Sequence, residues 1–291
     1  MRFSNLYRKR TTLVIVAVVA GAIFASLTDE NMIPAPFPPL ILIPAGDFLS
    51  GTEMKTEDNM GTSGFSEKSP FLYQHKDSPL EKVFLNDYLI MSTPVTLDQY
   101  AAFIRDTGYR APKIDKIEWE NYHSKYSFSI SDRYIWIDQE PPKNRGNHPV
   151  VLVSQSDARE YSKWLSKRTG RNFRLPTAHE WEKAARGIDG RNYPWGIKFN
   201  PNLLNSADIG PFDTTPVGKF PTGASPFGIL DAAGQVFEWT ITMSEISNYF
   251  VKGGSWSNIG CSSCRPGANN SVQQEMKHIE IGFRLVDVGY R

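Results

Sequence analysis

Several groups of residues in this chain bear side chains that can do chemistry. Asp231-Ala-Ala-Gly234-Gln-Val236-Phe-Glu238-Trp239 sets two carboxylates on either side of a glycine turn. Hard cations such as Ca2+ gather about six to eight oxygens from carboxylates and backbone carbonyls. A loop with an acid at each end can fold carbonyls inward onto such an ion; the same pattern also describes a turn whose acids are simply solvated. Cys261 and Cys264, the only cysteines, form a Cys-x-x-Cys pair. No strand-to-helix pattern surrounds them, which argues against a thioredoxin-like role. His278 and Glu280 alternate along a segment that reads as strand and so share a face, either as polar groups of a site or as a solvated strand edge. In Gly253-Gly254-Ser255-Trp256, paired glycines before a large aromatic let two backbones come close. The other histidines, His75, His123, His148 and His179, are scattered, and no pair has metal-ligand spacing.

The elements that must position these groups announce themselves by their ends. Thr96-Leu-Asp-Gln99 is a capping box, followed by Tyr100, Phe103 and Ile104 at helical spacing and by Gly108 as a left-handed stop. Ser154 with Asp157 starts a second helix, whose stripe is Ala158, Tyr161, Trp164 and Leu165 and whose end is Gly170. Thr177 with Glu180 starts a third, with Trp181, Ala184 and Ala185 facing inward and Gly187 after it. Short strands are expected at 41–43, 48–50 and 83–90, with a polar loop over 54–76. Between the first two helices, residues 112–147 carry Trp119, Tyr122, Tyr126, Tyr134 and Trp136 and read as an irregular aromatic excursion. Beyond Arg186, short strands alternate with Gly, Pro and Asn turns. No internal repeat or second domain is visible, and strands and helices do not alternate as a doubly wound sheet requires.

Composition bounds the class. With 291 residues, 40% hydrophobic and 22% charged, the chain can bury a sizeable core. A net charge of +1 provides no field for nucleic acid. Two cysteines exclude a disulfide scaffold, so the core must carry the stability. Arg2, Arg8, Lys9 and Arg10 precede an uncharged run over 11–28. A spanning helix needs roughly 17–25 residues. Ala20-Gly21-Ala22 could be a cleavage exit but lies inside the apolar run, so an uncleaved anchor is expected, with a cleaved signal sequence as the alternative. Both export the remainder. The expected plan is a cytoplasmic tail over 1–10, a transmembrane anchor over 11–28, a Pro-rich linker over 29–40 and one domain over 41–291. The expected location is single-pass in the inner membrane, with the domain facing the periplasm or the cell exterior.

Many motifs then occur in one order: Ile43-Pro-Ala-Gly46, Val95-Thr96 with Tyr100, His148-Pro-Val-Val151, Arg174-Leu-Pro-Thr177 with Glu180-Trp181, Tyr193-Pro-Trp-Gly196, Thr215-Pro-Val217, Phe227-Gly228-Ile-Leu-Asp231, Gly234 through Trp239, Gly253 through Trp256, and Gly282-Phe-Arg284. Over about 41–286 the chain resembles the formylglycine-generating enzymes, or sulfatase-modifying factors, with their ergothioneine- and pyoverdine-synthesis branches. The resemblance implies an α+β, C-type-lectin-like fold with little regular secondary structure. It also implies Ca2+ at Asp231, Gly234, Val236 and Glu238, the middle two through carbonyls, and a second Ca2+ at Asn205, Ser206 and Asp208.

In that family two cysteines, spaced Cys-x4-Cys, bind copper(I) and the metal activates O2. The first falls here on Asn258, and the second near Ser263 or Cys264. Cys261 and Cys264 are therefore a displaced Cu+ site, a redox-active or structural disulfide, or two ordinary thiols. The candidate catalytic residues are Cys261, Cys264 and Ser255, with Asn258, Arg265, His278 and Glu280 as further polar groups. The resemblance implies an oxidoreductase acting on a peptide or protein substrate with O2, and the N-terminal anchor makes it membrane-tethered. The alternatives are a non-catalytic binding module and an accessory subunit of a membrane protein complex.

Overall fold

All three capped helices form where their caps place them. The computed structural model describes residues 37–52, 76–77, 79–122, 124 and 126–289. The expected anchor, most of the linker and nearly all of the 54–76 loop lie outside them. Among the described residues no helix is long and apolar enough to cross a membrane.

In chain order the elements are β1 (Leu40–Ile43), β2 (Gly46–Ser50), β3 (Lys76–Asp77), β4 (Glu81–Leu85), β5 (Tyr88–Met91), α1 (Leu97–Thr107), α2 (Lys116–Asn121), α3 (Gln155–Thr169), β6 (Phe173–Arg174), α4 (Ala178–Arg186), β7 (Phe237–Glu245), β8 (Asn248–Lys252), β9 (Ala268–Gln273), β10 (Ile281–Gly282) and β11 (Val286–Asp287). The capping boxes of α1, α3 and α4 are complete: each cap hydroxyl accepts from the third backbone N–H, and that residue's side chain accepts from the cap N–H. Gly108 and Gly170 take the left-handed conformation that ends α1 and α3.

Two expectations change. The strand expected over 83–90 is two strands broken at Asn86-Asp87, and they serve different sheets: β4 pairs with β2, and β5 with β1. The excursion is not wholly irregular. Asp115 caps α2 by accepting from the N–H of Glu118 at 2.8 Å, and α2 buries Trp119.

One sheet runs β1-β5-β11-β6 and a second runs β10-β7-β8-β9-β3, with β10 parallel to β7 and the rest antiparallel. The main core lies under α1 and α3. There Tyr100 and Tyr161 stack at 5.6 Å, and Phe283 meets both edge-on at 6.3 and 5.3 Å. Burying a large apolar side chain stabilises by about 1.5–3 kcal/mol, so this cluster fixes both helices. Trp181, Ala184 and Ala185 of α4 form a second core with Ile43, Tyr88, Ile90 and Val286. Both cores adjoin the ends of β7 and β8, where the site residues gather.

Candidate functional site

The glycine loop leaves β8 at Gly253. Gly253 and Gly254 have φ of +97° and +72°, which L side chains rarely adopt. A Cβ on Gly253 would meet the Trp181 ring at 3.0 Å, and one on Gly254 would collide with Cys264 Sγ. The loop then closes on itself. Ser255 N–H donates to Asn258 Oδ1 at 2.7 Å, and Ser255 Oγ lies 3.1 Å from Ser257 Oγ and 3.3 Å from Asn258 Oδ1. Ser255, Ser257 and Asn258 are all buried. Gly234 N–H donates to Gly253 O at 2.7 Å and Trp256 N–H to Gln235 O at 3.0 Å, joining this loop to the one that begins at Asp231.

Cys261 and Cys264 form a disulfide with Cα atoms 5.0 Å apart. Both are buried against Leu204, Ala233, Trp195 and Phe199. Of the three readings of the pair, the bridged one is what the structure holds. Copper(I) does not fit this arrangement. A soft ion needs thiolates, both sulfurs are bonded to each other, and Asn258 brings an amide oxygen already engaged by Ser255. Arg265 lies beside the disulfide, its Nε donating to Ser262 O at 3.2 Å.

The segment from Asn205 clasps this loop: Ala207 N–H donates to Asn258 O at 2.9 Å, and Asp208 accepts from Gly260 N–H at 3.2 Å. Asn205 Nδ2 donates to Asp213 O and to Gln235 Oε1, at 2.8 and 2.9 Å. Its Oδ1 is buried and accepts no hydrogen bond among the described residues. A Cβ on Gly210 would collide with that oxygen and with Ser206 O, which accepts from Gly210 N–H at 2.9 Å, so only glycine lets the turn close here. An orphaned acceptor beside a carbonyl suits a hard cation. Asp208 does not converge on it, because Oδ2 accepts from Ser206 Oγ at 2.9 Å.

The acidic loop carries the residues of the first expected cation site. Asp231 is buried at φ +54° and accepts from Gly218 N–H at 2.6 Å. Burial raises its carboxyl to about 6, and the Glu238 charge adds to the rise. Glu238 already accepts three hydrogen bonds. Oε2 accepts from Arg284 Nε at 2.6 Å and Trp181 Nε1 at 2.7 Å, and Oε1 accepts from Arg284 Nη2 at 2.7 Å. Asp231 and Glu238 stand buried at the two ends of the loop that carries Gly234 and Val236, the four residues expected to hold Ca2+.

His278 and Glu280 are fully buried, not a solvated edge, and they lie in the turn before β10 rather than in a strand. Their nearest atoms, Nδ1 and Oε2, are 3.7 Å apart. Burial lowers the imidazole to about 3 and keeps it neutral. Trp119 lies flat on the ring at 5.2 Å. Tyr126 stacks on Trp256 at 5.9 Å and is coupled to Ser257 and Glu280. The excursion is therefore the roof of this polar cluster. Sequence reasoning noted the aromatics without that role, because nothing local joins 119–126 to 256–280. It also noted Arg284 only as part of a motif. Elsewhere, His148 Nδ1 is 2.9 Å from Thr214 Oγ1 and His179 packs edge-on to Phe48 at 6.3 Å; His75 and His123 lie outside the described residues.

Residues 27–288 match the sulfatase-modifying factor enzyme 1-like domain. The chain is 28% identical over 252 residues to "Inactive C-alpha-formylglycine-generating enzyme 2" of Bos taurus, covering 75% of this chain and 76% of that protein. It is 30% identical over 235 residues to the formylglycine-generating enzyme of Thermomonospora curvata, covering 69% and 70%. Among solved structures, PvdO from Pseudomonas aeruginosa superposes with a TM-score of 0.65 at 22% identity, over 87% of this chain and 95% of that one. At that identity the likeness concerns the fold.

Proposed function

The chain belongs to the sulfatase-modifying factor enzyme 1-like family, and we propose that it is a membrane-tethered, extracytoplasmic oxidase of a peptide or protein substrate that works without the two-cysteine copper centre. The observation that carries this reading is the buried hydroxyl and amide set of Ser255, Ser257 and Asn258, held on the glycine loop. Burying polar groups is costly unless they are paired, and here they pair with one another beside the disulfide. Ser255 and Ser257 would orient the substrate, and the Cys261–Cys264 bridge would brace the glycine loop at Gly254. The basic tail, the apolar run over 11–28 and the proline linker support the tether.

A structural Ca2+ would be held by Asn205 Oδ1 and the Ser206 carbonyl, tying the 205–210 loop to the glycine loop. Adding Ca2+ should then raise the melting temperature of wild type and not of Asn205→Ala; equal curves in chelator and in Ca2+ would remove the ion.

The test of the oxidase reading is oxygen uptake by the full chain in detergent with a panel of reduced cysteine-containing peptides. Stoichiometric uptake supports it. Copper(I) should bind wild type no more tightly than Cys264→Ser. Tighter binding would restore the copper centre. The second reading is a non-catalytic binding module or accessory subunit, favoured by the closed disulfide and by Asn258 where the family has its first copper cysteine. Absent uptake, together with migration in a large complex after mild solubilisation, would establish it.

A further inference from the structure

A cavity of about 440 Å3 opens between the β1–β2 connection, the end of α4 and the loop at Pro226-Phe227. Its walls are largely apolar, from Pro44, Ala45, Ile188, Pro226 and Phe227. Lys183 of α4 lines it as well, while being only 1% exposed. The Lys183 ammonium donates to Pro44 O at 2.8 Å and to Gly46 O at 2.9 Å. Both of those residues also line the cavity, so the charge is held at its wall. The other charged groups of the wall are cancelled by their own partners. Asp47 pairs with Lys82 at 2.7 Å, and Asp189 pairs with Arg191 at 2.7 Å.

An ammonium has three donors, and two are used here. Among the described residues no carboxylate pairs with Lys183, whose partners are two neutral carbonyls. Those bonds tie the β1–β2 connection to α4, which a neutral donor would do as well. Taking a full charge out of water costs far more than burying a neutral donor unless a counter-charge meets it. Desolvation accordingly holds the ammonium below the ordinary lysine range, with the Asp47 charge opposing the shift. A concave space of this size, with apolar walls and a fixed polar group, has the form of a small-molecule site. One uncancelled positive charge selects a monoanion, and an ion as small as acetate would leave most of the apolar wall uncovered.

We propose that this cavity binds a small monocarboxylate with an apolar body. The carboxylate takes the third donor of Lys183, and the body lies against Ile188, Pro226 and Phe227. None of Ser255, Ser257 and Asn258 lines the cavity, so the site stands apart from the glycine loop and does not rest on the oxidase reading.

The test is calorimetric titration of the full chain in detergent with phenylacetate, and with 2-phenylethanol as its uncharged counterpart. Wild type should bind phenylacetate saturably, one per chain, and at least about tenfold more tightly than the alcohol. Lys183→Met keeps the length of the side chain and removes its charge. It should weaken phenylacetate at least about tenfold and leave the alcohol unchanged. Ile188→Trp adds bulk at a lining position that is 60% exposed. It should abolish phenylacetate binding with an unchanged melting temperature, and it decides the matter if Lys183→Met does not fold. No saturable binding by wild type, equal phenylacetate affinity in Lys183→Met, or undiminished binding in Ile188→Trp would each overturn the proposal.

Discussion

Glu238 and Arg284 meet through hydrogen bonds of 2.6 and 2.7 Å, whereas His278 and Glu280, equally buried, stand 3.7 Å apart between aromatic rings. In the first pair the remaining guanidinium donors reach the carbonyls of Met91, Ser92 and Leu230, and Glu238 also takes the Trp181 indole N–H. That network fastens β5, α4 and the acidic loop to the Gly282-Phe-Arg284 segment. Charge–charge attraction in a dry interior offsets desolvation only when geometry is this good. The second pair meets at longer range, with the Trp119 ring stacked on the imidazole. Burial is common to both; the direct carboxylate–guanidinium bonds are what make the first pair a fastening.

The sharpest way to break this contrast is Glu238→Ala. It strands a buried guanidinium and should cost about 3–5 kcal/mol in urea unfolding; a loss under about 1 kcal/mol would show that the network is not a fastening. Next is Asp231→Asn, which asks whether Arg284 has charge to spare. Asp231 titrates near 6 when folded against an ordinary value near 4. The folded state therefore binds its proton more tightly, and the associated stability is present below about pH 4 and lost as pH rises through 6. The Asn variant should gain about 3 kcal/mol over wild type at pH 8 and nothing at pH 4; equal stabilities at both pH values would mean that Arg284 or a bound cation already neutralises Asp231. Trp181→Phe keeps an aromatic side chain but removes one donor to Glu238 and part of the buried ring system. It should cost about 1–2 kcal/mol, and an unchanged unfolding midpoint would mean that Arg284 suffices alone. The smallest effect is expected for the double variant His278→Leu with Glu280→Met, whose stability should stay within about 1 kcal/mol of wild type. A loss comparable to Glu238→Ala would make the two pairs alike and erase the distinction.

Legibility followed chain distance. Thr96, Ser154 and Thr177 declared three helices because a cap and its partner are three residues apart. Gly253 and Gly254 declared a close approach, though not that Trp181 and Cys264 are what approaches. Asp231 and Glu238 could be read as the two ends of one loop because their spacing allows it. Arg284, 46 residues beyond Glu238 and bonded to that carboxylate, could not be read from the loop. Asn205 was named as a ligand, but the orphaned oxygen beside Gly210 could not be read from its neighbours. His278 and Glu280 looked like a surface because alternation reports which residues share a face, not which face is covered.

The sequence by itself determined the family, the three capped helices, the glycine loop and the absence of a two-cysteine copper pattern, since these depend on residue type at short spacing. Only the tertiary structure decided that the Cys-x-x-Cys pair is closed, that Glu238 belongs to Arg284, and that Trp119 and Tyr126 roof the His278–Glu280 pair. Each of those outcomes turns on which distant segment comes to lie against a polar group, and in a dry interior that neighbour determines what the group can do.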